Sequence, residues 1–539
     1  CLCVWQCHNP PPPPASPRPH IVSLFLDDAG FGDVGFNDAT VVETPHMDAL
    51  AASGMALKDM HAGASVCTPS RAALMMGRYP IRAGVAGNFG EESLYGLAEG
   101  ELTLANILSA ANYSTQMIGK HHLGTPLGYS PTSRGFDTWF GLPYSGDMGC
   151  LDSTPASCRL GKNRSEGSPA CPALCPPDSA KPTPGLLAIP LYDSTSPDCS
   201  GHASCDDDII TAPYDPMTLN AQYVARAESI IANHAPGGAL AGTPLFLHVA
   251  FAHTHTPLAY AAAFTNSSSR PGLYRPFGDV LAEVDAAIGD IVAALEAAGM
   301  RDDTLIVLAS DNGPADLPSV ACEAKGSPGP YLGLWQKSPE GGGGGSTAKT
   351  TTWSGGHHVM GAASWPKVIR PGSSSDALVS TMDYMTTFAG LAGATLPTDR
   401  VFDGIDLMGV FQGDDTQGHR TLFHPDHTGN LTAGRVGKYS VYWETAPAGP
   451  CLNPDGTHAP SGKAFSHSPP LAFDVLADPG ESTPVTLPAD LLAEVEAART
   501  AALHSIASTF HTSSNYANGG TAAWACGNRK SSCCRVKPQ

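Results

Sequence analysis

The chain has 539 residues, enough to bury a large core in one big domain or in a big and a small one. Its formal net charge of -20 at pH 7 excludes the basic surface that nucleic acids or anionic membranes require. No apolar run reaches the length of about 18 residues needed to cross a bilayer, so no membrane span is expected.

The 58 glycines and 48 prolines are concentrated in a few stretches, which leaves room for a globular body. Fifteen cysteines are many for a reducing compartment. Cys150, Cys158, Cys171, Cys175, Cys199 and Cys205 cluster among Pro, Ser and Gly, and Cys526, Cys533 and Cys534 come near the end. A zinc site on Cys171 and Cys175 lacks a second pair at matching spacing, so disulfides are the better reading. Sequons at Asn112, Asn163, Asn266 and Asn430 and the acidic balance agree with a secretory route. The chain opens on Cys1, so any signal peptide is expected to have been removed or to lie outside it.

In chain order, residues 1–19 form a Pro- and Cys-rich arm. His20 to Leu26 (HIVSLFL) reads as a buried strand running into Asp27-Asp28. Helical spacing follows at Pro45 to Met55, Ser70 to Met76 and Leu102 to Ala111. Pro244 to Phe251 is a second apolar strand, ending in His253-Thr254-His255. Phe277 to Met300 is a long amphipathic helix, with Val280, Val284, Ile288, Ile291 and Leu295 on one stripe. Thr304 to Ala309 is a third strand, running into Ser310-Asp311-Asn312-Gly313.

Strand, crossover helix and strand predict an α/β fold, a large and mostly parallel sheet sandwiched by helices. Residues 313–348 read as a Pro/Gly-rich stretch, either a functional loop or disorder. Asp383 to Ala392 is another helix. Beyond it Lys438 to Trp443 and Leu471 to Val475 read as strands, and Pro488 to Ser508 as a helix. The expected division is an arm over 1–19, a catalytic domain over 20–400, and a smaller C-terminal domain of antiparallel sheet plus helix over 401–539.

Each of the three buried strands ends in polar, chemistry-bearing residues. One such pair is as readily a turn or helix cap as a ligand set. Three in the same relation to a strand favour a shared site, because ligands of parallel sheets bind beyond the carboxyl ends of the strands. Carboxylate and carboxamide oxygens suit a hard cation, Ca²⁺ or Mg²⁺. Cys67 precedes Thr68-Pro69-Ser70-Arg71, and Pro69 suits a first helical turn, so Cys67 lies at or just before a helix N-terminus, where anions bind.

The run Cys67-Thr68-Pro69-Ser70-Arg71 resembles the Cys-X-Pro-Ser-Arg signature of the sulfatase family, whose cysteine is oxidised to Cα-formylglycine. Asn112-Tyr113-Ser114-Thr115 and Gly119-Lys120-His121-His122 resemble its second signature. From about His20 onward, the segments LFLDDAGFGDVG, SVCTPSRAAL, GLPYSGD, AHTHTPL, SDNGP and AKTTTWSGG look most like the arylsulfatase A branch.

The resemblance implies metal ligands at Asp27, Asp28, Asp311 and Asn312, normally for Ca²⁺ or Mg²⁺. It implies that Arg71, Lys120 and His122 hold the formylglycine and its oxygen, and that Ser145, His255 and Lys349 contact the sulfate. One hydroxyl of the hydrated aldehyde would attack sulfur and expel the alcohol. Deprotonation of the other would then expel sulfate and restore the aldehyde. His255 is the candidate acid and His122 the candidate base, roles that could be exchanged.

The resemblance and proximity also suggest disulfides Cys150–Cys175, Cys158–Cys171, Cys199–Cys205 and Cys322–Cys451. The implied partners are a small-molecule or glycan sulfate ester and, during maturation, a formylglycine-generating enzyme; self-association into a homo-oligomer is left open. The expected location is the secretory pathway, the cell exterior or the lysosome. Asn112, Met76, His121 and His357-His358 depart from the usual residues. Two other readings remain: a phosphomonoester or phosphonate hydrolase of the same superfamily, and an inactive relative that holds sulfated glycans.

Overall fold

The computed structural model describes residues 18–517 apart from 39, 92, 125–127, 151–187, 196–207, 271–274, 317–325, 427, 451–456 and 459. Eleven strands form one mixed sheet: β1 (His20–Leu26), β2 (Met55–His61), β3 (Ser114–Gly119), β4 (Thr138–Gly141), β5 (Leu191–Asp193), β6 (Asp208–Thr211), β7 (Leu245–Ala250), β8 (Thr304–Ser310), β9 (His358–Val359), β10 (Gly361–Ser364) and β11 (Ser373–Ser380). Their order is β11-β2-β10-β8-β1-β7-β3-β4-β5-β6, with β9 paired to β2.

The central four strands, β8, β1, β7 and β3, run parallel, so their carboxyl ends lie side by side. The two strands expected to form a parallel unit, β7 and β8, flank β1 rather than pairing with each other. Between them runs the helix Arg275–Ala297, its expected apolar stripe fully buried. Both faces of the sheet are covered. Val22, Leu24 and Leu26 of β1 enter one core, and Ile21 and Phe25 enter the other. That is why the strand reads as a continuous apolar run rather than an alternating one.

A second sheet of four antiparallel strands follows: β12 (Thr421–Pro425), β13 (Leu431–Val436), β14 (Tyr439–Thr445) and β15 (Phe465–Asp474). Helix Ala489–Ser508 covers it through Val495, which shares a core with Leu431, Val436 and Val441. The sequence showed β14 and the end of β15, but not β12 or β13.

Helix α1 (Pro45–Ala52) and helix α2 (Cys67–Met76) occupy the expected positions, α2 starting at Cys67 itself. Gly77 ends α2 in the left-handed region with φ 65°, and a Cβ there would meet Met385 Cβ at 2.3 Å. Helix α3 (Leu104–Ala110) leads to Asn112, also left-handed at φ 59°. Asparagine is among the residues that tolerate this conformation, so it serves where the resemblance led us to expect glycine. Of the cysteines in the four expected disulfides only Cys150 falls among the described residues, where it is disulfide-bonded. The pairings themselves lie outside them.

Candidate active site

The site is assembled at the carboxyl ends of β1, β8, β7 and β3, facing the N-terminus of α2. Asp27 and Asp28 follow β1, and Asp311 and Asn312 follow β8. All four are buried. Asp28 is left-handed at φ 62°, and its backbone N–H donates to Asp311 Oδ1 at 3.2 Å. Asn312 Nδ2 donates to Asp28 Oδ1 at 2.8 Å. The segment after β3 carries Lys120, whose ammonium lies 2.6 Å from Asp27 Oδ2. Gly119 brings this strand against β7 so closely that a Cβ would fall 1.8 Å from Ala250 O.

Cys67 sits in the first turn of α2, fully buried, its Sγ 3.6 Å from Asp27 Oδ1 and 3.3 Å from Lys349 Nζ. One turn on, Arg71 donates from Nε and Nη2 to Asp311 Oδ2 at 3.0 and 2.8 Å. Its Nη1 donates to the Lys120 carbonyl at 3.0 Å. Lys349, directly after the Pro/Gly-rich loop, also donates to Asp28 Oδ1. Three buried carboxylates therefore meet three buried cations. A divalent ion added to that balance would leave a positive surplus, which favours an anion.

Burial alone would raise the Asp27 carboxyl, but Lys120, His255, Arg71 and Lys349 hold it well below the usual carboxylate range. Burial likewise opposes ionisation of Asp28, and Lys349 and His255 overcome it. Asp311 is pushed up to about 6 by burial and by Asp27. A cation among these groups would favour the ionised form of all three. Two buried oxygens, Asp28 Oδ2 and Asn312 Oδ1, have no hydrogen-bond partner. With one nitrogen atom of Asn312 already turned onto Asp28, the oxygen set fits a hard cation.

The two histidines differ in protonation. His255 Nδ1 donates to the Thr256 carbonyl at 2.7 Å, and its Nε2 lies 3.5 Å from Asp28 Oδ2. Burial would lower it, but Asp28 and then Asp147 raise it to about 10. His122, left-handed at φ 58°, donates from Nε2 to the Phe89 carbonyl at 3.2 Å. Burial, Lys120 and Arg71 hold it well below its ordinary value. It is neutral, with a buried Nδ1 lone pair that nothing engages.

Ser145 is buried in the loop after β4. His121 and His122 hydrogen-bond that loop through their backbone N–H groups, at Leu142 O and Pro143 O. Among the described residues no hydrogen bond joins the Ser145 hydroxyl to the cluster. His253, which the strand-end pattern placed beside His255, faces the Pro216 carbonyl instead. Sequence reasoning passed over Asp147, 3.9 Å from His255 Nδ1. It also passed over Thr68, whose hydroxyl donates to the His122 carbonyl at 2.8 Å. Both lie inside motif segments, and only spatial proximity singles them out.

Residues 19–394 match the Sulfatase family, and residues 417–536 match the C-terminal region of aryl-sulfatase. The chain belongs to the sulfatase family. It is 36% identical to arylsulfatase G of Rattus norvegicus over 480 residues, which cover 87% of this chain and 83% of that protein. It is 34% identical to arylsulfatase A of Homo sapiens over 476 residues, 86% of this chain and 82% of that one. Among solved structures, the PsFucS1 sulfatase from Pseudoalteromonas sp. superposes with a TM-score of 0.71 at 24% identity, covering 91% of this chain and 92% of that one. That last likeness concerns the fold. The named relatives are sulfuric ester hydrolases. In this sulfatase family member the segments carrying Asp27-Asp28, Asp311-Asn312 and Lys349 meet beside Cys67 and Arg71.

Proposed function

We propose that this chain hydrolyses sulfate monoesters, with Cys67 as the precursor of a Cα-formylglycine nucleophile and a divalent cation held by Asp27, Asp28, Asp311 and Asn312. The observation that carries the reading is the placement of Cys67 Sγ. It lies at the start of α2, 3.3 Å from Lys349 Nζ, in a buried pocket of balanced carboxylates and cations.

Conversion of the thiol to an aldehyde puts oxygen on that same side chain, and the bound cation would polarise an oxygen of the anionic ester. Lys349, Lys120 and Arg71 are fixed before substrate arrives. They stabilise negative charge as the sulfur–oxygen bond breaks, without reorganising. His255, held protonated by Asp28 and Asp147, donates a proton to the leaving alcohol. His122, neutral with a free Nδ1, accepts one when sulfate departs. Ser145 contributes a hydroxyl to the sulfate oxygens.

The chain enters the secretory route on this reading, where a formylglycine-generating enzyme would modify Cys67. Asn112, Asn266 and Asn430 are exposed, as glycan acceptors must be. Among the described residues no helix is long and apolar enough to cross a membrane. The test is a comparison of matched aryl sulfate and aryl phosphate esters on one preparation. Sulfate release should be far faster; faster phosphate release would sink the sulfatase reading in favour of the phosphohydrolase one.

A further inference from the structure

A second buried cluster lies where the large sheet meets the small one. His61 ends β2, His357 closes the short helical turn Ser354–His357, and His424 lies on β12. Their exposures are 0%, 2% and 3%. One ring nitrogen from each lies within 4.8 Å of the others.

The proton count at this cluster does not close. A neutral imidazole has a single N–H. His357 Nε2 lies 3.0 Å from the Thr352 carbonyl, which can only accept, so that nitrogen donates. His61 Nε2 lies 2.8 Å from Asp59 Oδ1. That carboxylate, clamped by two Arg435 hydrogen bonds of 2.9 Å each, also only accepts. Both rings therefore direct their proton outward, and two Nδ1 lone pairs face each other at 3.0 Å. Such a pair needs a cation between them. A proton would create a buried imidazolium with Arg435 Nη1 already 3.3 Å from His61 Nε2, and burial and like charge both oppose that. His424 adds a third imidazole, with a buried Nε2 that has no hydrogen-bond partner.

We propose that His61, His357 and His424 form a second metal centre, distinct from the Cys67 site, for a borderline d-block cation of the Zn²⁺ class. Three imidazole nitrogens suit that class and not Ca²⁺ or Mg²⁺. The Asp59 carboxylate on the far nitrogen of His61, and the Thr352 carbonyl on that of His357, are the partners that orient metal-bound histidines. His424 stacks on His357 with ring centroids 3.4 Å apart, so its ring would have to turn out of the stack on metal binding to complete the set.

The ion would have a positioning role. The His357 carbonyl accepts from Ala62 N at 2.8 Å, and Ser65 O accepts from Thr350 N at 2.7 Å. The segment carrying Lys349 is thus already laced to the segment leading into Cys67. A metal would fasten both to the small sheet through His424.

To test this, the full chain is stripped with a chelator, then equilibrated with Zn²⁺ in the presence of excess Ca²⁺ and freed of unbound metal. One equivalent of Zn²⁺ should remain, and Tm should rise by several degrees. Co²⁺ in its place should show visible bands of tetrahedral nitrogen coordination without a thiolate charge-transfer band. His424→Ala should lose that equivalent. No Zn²⁺ retained by the wild-type chain, a Co²⁺–thiolate band placing the ion on Cys67, or full retention by His424→Ala would each overturn the proposal. If His424→Ala fails to fold, the wild-type metal count and Co²⁺ spectrum decide alone. None of these readouts depends on sulfate turnover, so the outcome is separate from that of the sulfatase reading.

Discussion

The Cys67 centre and the His61 cluster lie at the two ends of one short stretch of chain, and both are almost dry. They solve burial in opposite ways. Around Cys67 Asp27, Asp28 and Asp311 each meet a lysine or arginine, so charge is kept and aimed. Around His61, among the described residues, Asp59 and Arg435 carry the charge and four imidazoles stay neutral: burial holds His61, His357, His358 and His424 all below their ordinary value. On the proposed reading the first arrangement receives an anion beside a hard cation. The second offers lone pairs and little charge. Burial alone therefore says nothing about function; how the charges inside are balanced does.

The largest expected effect lies at the first centre. Cys67→Ser should abolish turnover, because a serine oxygen can attack sulfur but has no second geminal hydroxyl to expel sulfate. Wild-type rates from that variant would refute the formylglycine role. Lys349→Met should lower kcat by about 10²–10³-fold, the scale of one lost preorganised stabiliser of developing charge. A steady-state assay that finds only KM altered would make Lys349 a binding group instead.

At the second centre the effect should fall on stability. Arg435→Met strands Asp59, which burial opposes and Arg435 chiefly keeps ionised. A loss of about 3 kcal/mol is expected in urea unfolding, the scale for breaking a buried pair on one side. No change would show that Asp59 is well solvated, and would weaken the contrast.

The smallest effect is a pH shift. His255 has its folded-state value raised from 6.5 to about 10, so its pairing stabilises the fold fully below pH 6.5, and that stability is lost as pH rises through about 10. Its acid form disappears over the same upper window. Asp147→Asn removes one of the three carboxylates that raise it, so the alkaline limb of the kcat profile should move to lower pH while the acid limb stays. An unmoved alkaline limb would remove Asp147 from the account.

Much of the first centre was legible in the sequence, because its carboxylates and amide sit directly after apolar strands whose two buried faces make them conspicuous. Asp27-Asp28 and Asp311-Asn312 needed only strand boundaries and the rule for carboxyl ends. The remainder required the third dimension. Strand β2 (MALKDMH) mixes Lys58 and Asp59 into an apolar pattern, because Asp59 is paired by Arg435 from the other sheet, so periodicity does not mark it. The histidine cluster draws on three segments far apart in sequence, and His357-His358 stood out only as a departure from relatives. His253 shows the opposite case: it has the right residue type in the right motif but turns toward the Pro216 carbonyl.

The central claim is that residue 67 works as an aldehyde and not as a thiol. Mass spectrometry of the peptide spanning Cys67, from chain produced together with a formylglycine-generating enzyme, tests it most directly. The account predicts the mass of the aldehyde, in proportion to specific activity across preparations. Full turnover from material that carries only the unmodified thiol would contradict it.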